Sequence, residues 1–269
     1  MTTHLLPEGH PLFAAFLRTL PAGLIALLLS RQLPRGSWWW KSLVLGGLNM
    51  AVFFPLLFLS AQCLPGGVAA TLGAVQPLIV AFLAVAVLHE RLSGWRLAWG
   101  VVGVVGVALV VLGPNAALDP LGVAAGLGGA LAMATGVVLT KKWSLPAGTS
   151  AIALAGWQLT AAGLLLAIPA LVVEGPPPTI TDRGWLGYAW LGLMGALISY
   201  SLWFAGIRRL PVTSTALLGL LSPLVAAALG ALIAHETLGL EQRLGFAIAL
   251  VAMVCGQLPA PNATSAKRT

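Results

Sequence analysis

Gly73-Ala74-Val75-Gln76-Pro77-Leu78, running on to His89-Glu90-Arg91-Leu92, recurs as Gly219-Leu220-Leu221-Ser222-Pro223-Leu224, running on to His235-Glu236-Thr237-Leu238. Gly73, Pro77, Leu78, Ala81, Leu83, His89, Glu90 and Leu92 each meet an identical residue 146 positions later. Both copies are apolar over the length that crosses a bilayer core, about 20 residues. Each carries a proline in its middle. Two membrane-embedded copies of one unit, each interrupted mid-span, form the pattern of a carrier built from internal repeats.

The likeness spreads from there in both directions. Leu64-Pro65 meets Leu210-Pro211, Gly46 meets Gly192, and Phe54 meets Tyr200. Further upstream the offset becomes 139, where Leu6-Pro7-Glu8-Gly9 meets Leu145-Pro146-Ala147-Gly148. A gap of seven residues in the 31–41 loop absorbs the change.

Composition agrees. The 269 residues are 59% hydrophobic and 8% charged, whereas soluble domains carry about 25% charged residues. Nine apolar segments follow one another at about 11–30, 42–63, 67–89, 96–113, 120–140, 150–173, 184–206, 212–235 and 243–258. The expected fold is therefore an all-α, polytopic membrane bundle of nine transmembrane helices. Short connections leave no room for a soluble domain, and the first eleven residues make no cleavable signal peptide.

The net charge of +7 does not point to nucleic acid, because the cations sit between the spans. Loops on one side carry eleven of them: Arg31, Arg35, Lys41, Arg91, Arg96, Lys141, Lys142, Arg208, Arg209, Lys267 and Arg268. The other side carries Arg183 and Arg243, and Arg18 lies within a span. Positive loops mark the cytoplasm. The expected location is the inner (plasma) membrane, with the C-terminus cytoplasmic and Met1 outside.

Residues 1–113 form a first repeat of four helices and 120–258 a second of five. Residues 259–269 read as a disordered cytoplasmic tail. The helix matching 120–140 would precede Met1. An odd repeat of five helices makes tandem copies antiparallel, and the loop charges swap accordingly: Lys141-Lys142 and Arg208-Arg209 lack basic counterparts in the first copy. The chain then reads either as a start at an internal methionine or as a functional nine-helix form, a monomer or a homodimer. Cys63 and Cys255 have no redox or metal spacing. Trp38-Trp39-Trp40 reads as an interfacial belt. Gly100, Gly103, Gly106, Gly122 and Gly126 serve close helix packing.

Tyr200-Ser201-Leu202-Trp203-Phe204-Ala205-Gly206-Ile207-Arg208-Arg209-Leu210-Pro211, then Leu221-Ser222-Pro223, then His235-Glu236-Thr237-Leu238 with Gln242 and Gly245, resembles the EamA pattern of the drug/metabolite transporter superfamily. The likeness covers nearly the whole chain. In the first half Arg96 and Trp99 replace the Gln and Gly of the second copy. Gly66-Gly67-Val68-Ala69-Ala70 and Trp157-Gln158-Leu159 look like the amino-acid exporters of that family. The resemblance implies ten helices in two inverted five-helix repeats (4+5 here, the first helix missing). It also implies export.

Several residues could carry transport. Pro77 and Pro223 each free a carbonyl four residues earlier, on Gly73 and Gly219. These four are the candidate hinge, with a simple structural kink as the alternative. Gln76 and Ser222 precede the prolines and could bond a substrate or a neighbouring helix; Thr71 lies one turn outward. Phe54 and Tyr200 form an aromatic pair at matching positions. Asn49 lies on the helix of Phe54. Arg18 could snorkel outward, or bind a substrate carboxylate through two parallel hydrogen bonds. Trp157, equivalent to Arg18, could stack on a substrate or pack in the bundle.

His89-Glu90 and His235-Glu236 lack the second histidine of a zinc motif, so no metal site follows. No His, Cys or carboxylate cluster within a span supports an enzyme, and no cofactor is implied. The expected activity is carriage of a small organic metabolite, an amino acid or a similar solute, by alternating access about the proline helices. The alternative is a truncated, non-transporting membrane subunit or fragment.

Overall fold

The computed structural model describes residues 10–64, 72–90, 93–111, 119–175, 179–221, 224–225 and 239–258. Among these the chain is helical throughout, with no strand. The helices are α1 (Pro11–Ser30), α2 (Trp38–Cys63), α3 (Gln76–Leu88), α4 (Gly94–Val111), α5 (Pro120–Lys142), α6 (Ala151–Glu174), α7 (Asp182–Arg209), α8 (Val212–Leu218) and α9 (Leu240–Gln257). Five of them, α1, α2, α5, α6 and α7, are long and apolar enough to cross a membrane. Shorter apolar helices lie within Leu72–Leu88, Gly94–Leu109 and Arg243–Gly256.

Side chains and prolines set the helix starts. Pro11 and Pro120 occupy first-turn positions, where a missing N–H costs nothing. Ser150 Oγ accepts from Ala153 N at 3.2 Å, Thr181 Oγ1 from Gly184 N at 3.1 Å, and Asp119 Oδ1 from Gly122 N at 2.8 Å. The helices are apolar on their outsides as well: Leu28, Ile168, Val172 and Leu186 are each more than 70% exposed. A face of that kind is stable against acyl chains, where only internally bonded backbone can stand.

The chain divides into two compact units. The first comprises 1–58 and 135–209, the second 59–134 and 210–269, so each unit draws on both sequence repeats. In the first unit α1 lies against α6. A methyl group on Gly23 would strike the backbone and hydroxyl of Thr160. One on Gly163 would come within 2.6 Å of Leu20, and one on Gly156 within 3.0 Å of Ala26. Rising numbers on α1 meet falling numbers on α6, so the two run antiparallel. Glycines let their backbones approach this closely. At one end, the Glu174 carboxylate accepts from Leu12 N and Phe13 N, both at 2.9 Å, two first-turn N–H groups with no partner inside α1.

The second unit packs α4 along α9. A methyl on Gly106 would reach Ala249 N at 2.6 Å, which bears out the packing role read for that glycine. Ala74, Val107, Leu217, Leu220, Leu224 and Ala249 form its buried core, flanked by Phe246 and Leu250. Trp95 Nε1 donates to Cys255 O at 2.8 Å.

Candidate functional site

Three spanning helices of the first unit are not α-helical throughout: α6 ends in a π turn at Ala170–Glu174, and the other two, α2 and α7, are interrupted within their length. Gly47–Val52 in α2 and Leu193–Ile198 in α7 are π-helical. The two segments lie 146 residues apart, the offset of the sequence repeat. A π turn inserts one extra residue, which rotates the side chains that follow and disturbs the i→i−4 ladder; such segments recur at functional sites. Just past each segment stand Phe54 and Tyr200. Their rings meet edge to face, with centroids 6.4 Å apart. Each is under 10% exposed.

Glycine docks each of these helices. A methyl on Gly46 would strike the Gln158 carbonyl of α6. A methyl on its counterpart Gly192 would lie 3.7 Å from the Arg18 carbonyl of α1, an ordinary contact. Equivalent glycines thus sit on equivalent stretches of the antiparallel pair. A polar contact accompanies each docking. Asn49 Nδ2, inside the first π segment, donates to Gln158 Oε1 at 2.7 Å. Gly195 O, at the position equivalent to Asn49, accepts from Arg18 Nη2 at 2.7 Å. Ser199 Oγ spans the same π segment by donating to Met194 O at 2.6 Å.

Arg18, the eighth of the 20 residues of α1, is thus bonded within the first unit. Its guanidinium carbon lies 4.4 Å from the centre of the Phe54 ring, a cation–π distance. Its Nε is buried with no hydrogen-bond partner. Asn49 and Gln158 are 1% and 0% exposed, and after their mutual bond one amide oxygen and one amide nitrogen remain unpartnered. Exchanging O and N on both amides leaves the same remainder. The first unit thus buries a positive charge against an aromatic ring and, at the Asn49–Gln158 pair, one spare donor and one spare acceptor, all within apolar helices. Gly136 closes the amide side: a methyl there would collide with the Asn49 amide.

The candidates from sequence separate accordingly. Arg18, Phe54 and Tyr200 come together, and Asn49 joins the same unit through Gln158. Trp157 packs at an end of the bundle: its Nε1 donates to Gln32 O at 2.7 Å and its ring meets Trp38 at 5.8 Å. Gln76 and Pro77 belong to the second unit. Pro77 is buried in the first turn of α3, and Gln76 is half-buried with an unpartnered Nε2. The helix ahead of them is broken at Val75, whose N–H donates to Leu72 O at 3.2 Å. Gly73 has open space around it. Gly219 ends α8, and its N–H donates to Ala216 O at 2.9 Å, the same short bonding as at Val75. Thr71, Ser222, Pro223 and the tail 259–269 lie outside the described residues.

Two features escaped the sequence reading. Gln158 was visible as an amide inside a span beside Trp157, the signal that could have singled it out. The π segments have no residue signature beyond the matched glycines Gly46 and Gly192.

The chain matches the profile of the EamA-like transporter family over residues 1–112 and 120–255. It is 40% identical to Protein PecM of Dickeya dadantii (strain 3937) over 257 residues, covering 96% of this chain and 86% of that protein. It is 28% identical to the uncharacterized inner membrane transporter YedA of Escherichia coli (strain K12), over 91% of this chain and 80% of YedA. A crystal structure at 19% identity matches with a TM-score of 0.78, covering 96% of this chain and 91% of its own; that likeness concerns the fold alone.

Proposed function

Because this chain belongs to the EamA-like transporter family, we propose that it is a carrier moving an amino acid or a similar small metabolite by alternating access, outward across the inner membrane. It is a membrane transporter and not an enzyme, as its family members are. The observation that carries the finer reading is Arg18. A guanidinium within α1, stacked on Phe54, with Nη2 on Gly195 O and a buried, unpartnered Nε, supports this reading, since a guanidinium uncovered by a rearrangement of the helices binds a carboxylate through two parallel bonds. Charged groups within spans mark substrate pathways. The ring pair Phe54–Tyr200 suits the apolar part of such a solute.

Nine spans in two inverted halves are part of the same proposal. The offset identities, the antiparallel run of α1 on α6 and the equivalent π segments support it. The breaks before Pro77 and at Gly219 suit hinges, because a helix without its i→i−4 bond bends there at little cost.

The test is flux into proteoliposomes with a panel of labelled amino acids and related acids. The expected result is saturable uptake that unlabelled carboxylates compete away. Uptake that never saturates argues for a channel, and no uptake of any panel member removes the carrier reading.

A further inference from the structure

The first unit carries a concentrated positive end that the transport site does not use. Where α1, α5 and α7 finish and α2 and α6 begin, its basic residues gather: Arg31 and Arg35, Lys41, Lys141 and Lys142, Arg208 and Arg209. Among the described residues no carboxylate lies in these turns; Glu174 and Asp182 stand at the opposite helix ends. Contacts tie the turns together. Gln32 Nε2 donates to Gly148 O at 3.1 Å, Arg208 Nη1 to Thr149 O at 2.8 Å, and Lys141 Nζ to Ile207 O at 3.1 Å.

Lys41 is partnered by rings instead of by an acid. Its Nζ lies 5.4 Å from the Trp38 ring and 5.9 Å from the rings of Trp40 and Trp143. Trp40 and Trp143 meet edge to face at 5.0 Å. Trp39 and Trp40 are 60% and 51% exposed, and Lys142 and Arg35 are exposed beside them. Tryptophan settles at the headgroup level of a bilayer, and nearby cations attract anionic lipid within a Debye length of about 8–10 Å. A cation that keeps its charge against ring faces retains N–H groups for a phosphodiester, which a carboxylate partner would have consumed.

We propose that this end binds an anionic phospholipid, with Lys41 and the Trp40–Trp143 pair seating the headgroup and Arg35 and Lys142 neutralising its phosphate. The lipid is then a structural ligand, held whether or not solute is being carried.

The test uses the purified full chain. Native mass spectrometry and thermal unfolding follow titration with phosphatidylglycerol, with phosphatidylcholine, or with inorganic phosphate. Phosphatidylglycerol is expected to stay bound and to raise the unfolding midpoint, and high salt is expected to cut both effects. Phosphatidylcholine should do neither. The Lys41→Gln/Lys142→Gln variant should lose retention several-fold, while Arg183→Gln at the opposite end keeps it. Equal retention of both lipids, equal retention by that variant, or the same midpoint shift with phosphate alone overturns the proposal. Should the double variant unfold in detergent, the wild-type salt dependence still decides: salt-independent retention of phosphatidylglycerol refutes it.

Discussion

Arg18 and the Asn49–Gln158 pair show how much one polar side chain decides inside a membrane. A guanidinium among apolar helices persists only with partners, and here it takes a π-segment carbonyl and a ring face. Arg18→Lys keeps the charge but loses the planar fork. The expected outcome is flux reduced at least about tenfold, or roughly 1.4 kcal/mol, in a protein that still folds. Wild-type flux in Arg18→Lys would exclude bidentate carboxylate binding. The amide pair separates two costs. Asn49→Leu leaves Gln158 buried and unpaired, a loss of about 1–3 kcal/mol, whereas interhelical bonds in membranes are worth about 0.6–2 kcal/mol. The double change Asn49→Leu with Gln158→Leu should therefore be less damaging than the two single losses summed, as read from unfolding midpoints. Strict additivity would mean that the two amides do not interact. Gly136→Ala gains helix propensity of about 1 kcal/mol but drives a methyl into Asn49, and overpacking costs about 1–3 kcal/mol. Net destabilisation is expected, and it should vanish in the Asn49→Ala background.

The elements of interest are the ones that depart from a plain α-helix. The π segments at Gly47–Val52 and Leu193–Ile198 place Phe54 and Tyr200 on facing sides and expose the carbonyl that Arg18 takes. The break at Val75 before Pro77 serves a different purpose: it leaves α3 without a continuous ladder to the turn at 72–74. Pro77 stands in the first turn of α3, where a missing N–H costs little, so Pro77→Ala should leave the unfolding midpoint nearly unchanged. The variant should turn over more slowly, with substrate affinity little changed. Unchanged turnover in single-turnover exchange would remove the hinge role. Half of this was legible in the chain, because a repeated proline is a visible breaker. The π segments were not: their signature lies in which carbonyl each N–H selects, which no residue pattern along the chain displays.

At the scale of the whole molecule, topology makes the sharpest expectation. α7 holds Arg183 near its start and Arg209 at its end, over 28 residues. At 1.5 Å per residue that is about 42 Å, more than the roughly 30 Å hydrocarbon core. In a background without Cys63 and Cys255, Arg183→Cys should react with an impermeant reagent from outside. Arg209→Cys and Lys142→Cys should react from inside only. Labelling of all three from one face would refute the inverted arrangement.

The sequence by itself determined that this chain lives in lipid, that it is helical, that its two halves repeat at offsets of 146 and, upstream, 139 residues, and which family it belongs to. Each of these is a pattern of period, composition or self-likeness, written locally along the chain. It also marked Phe54 with Tyr200 and Pro77 with Gly73 as positions of interest, since matched oddities survive in both copies. Only the tertiary structure decided what those residues touch. Asn49 finds its amide 109 residues away and Arg18 its carbonyl 177 residues away. Such partners are chosen by helix faces packing across glycines, a long-range geometric outcome that no local pattern encodes.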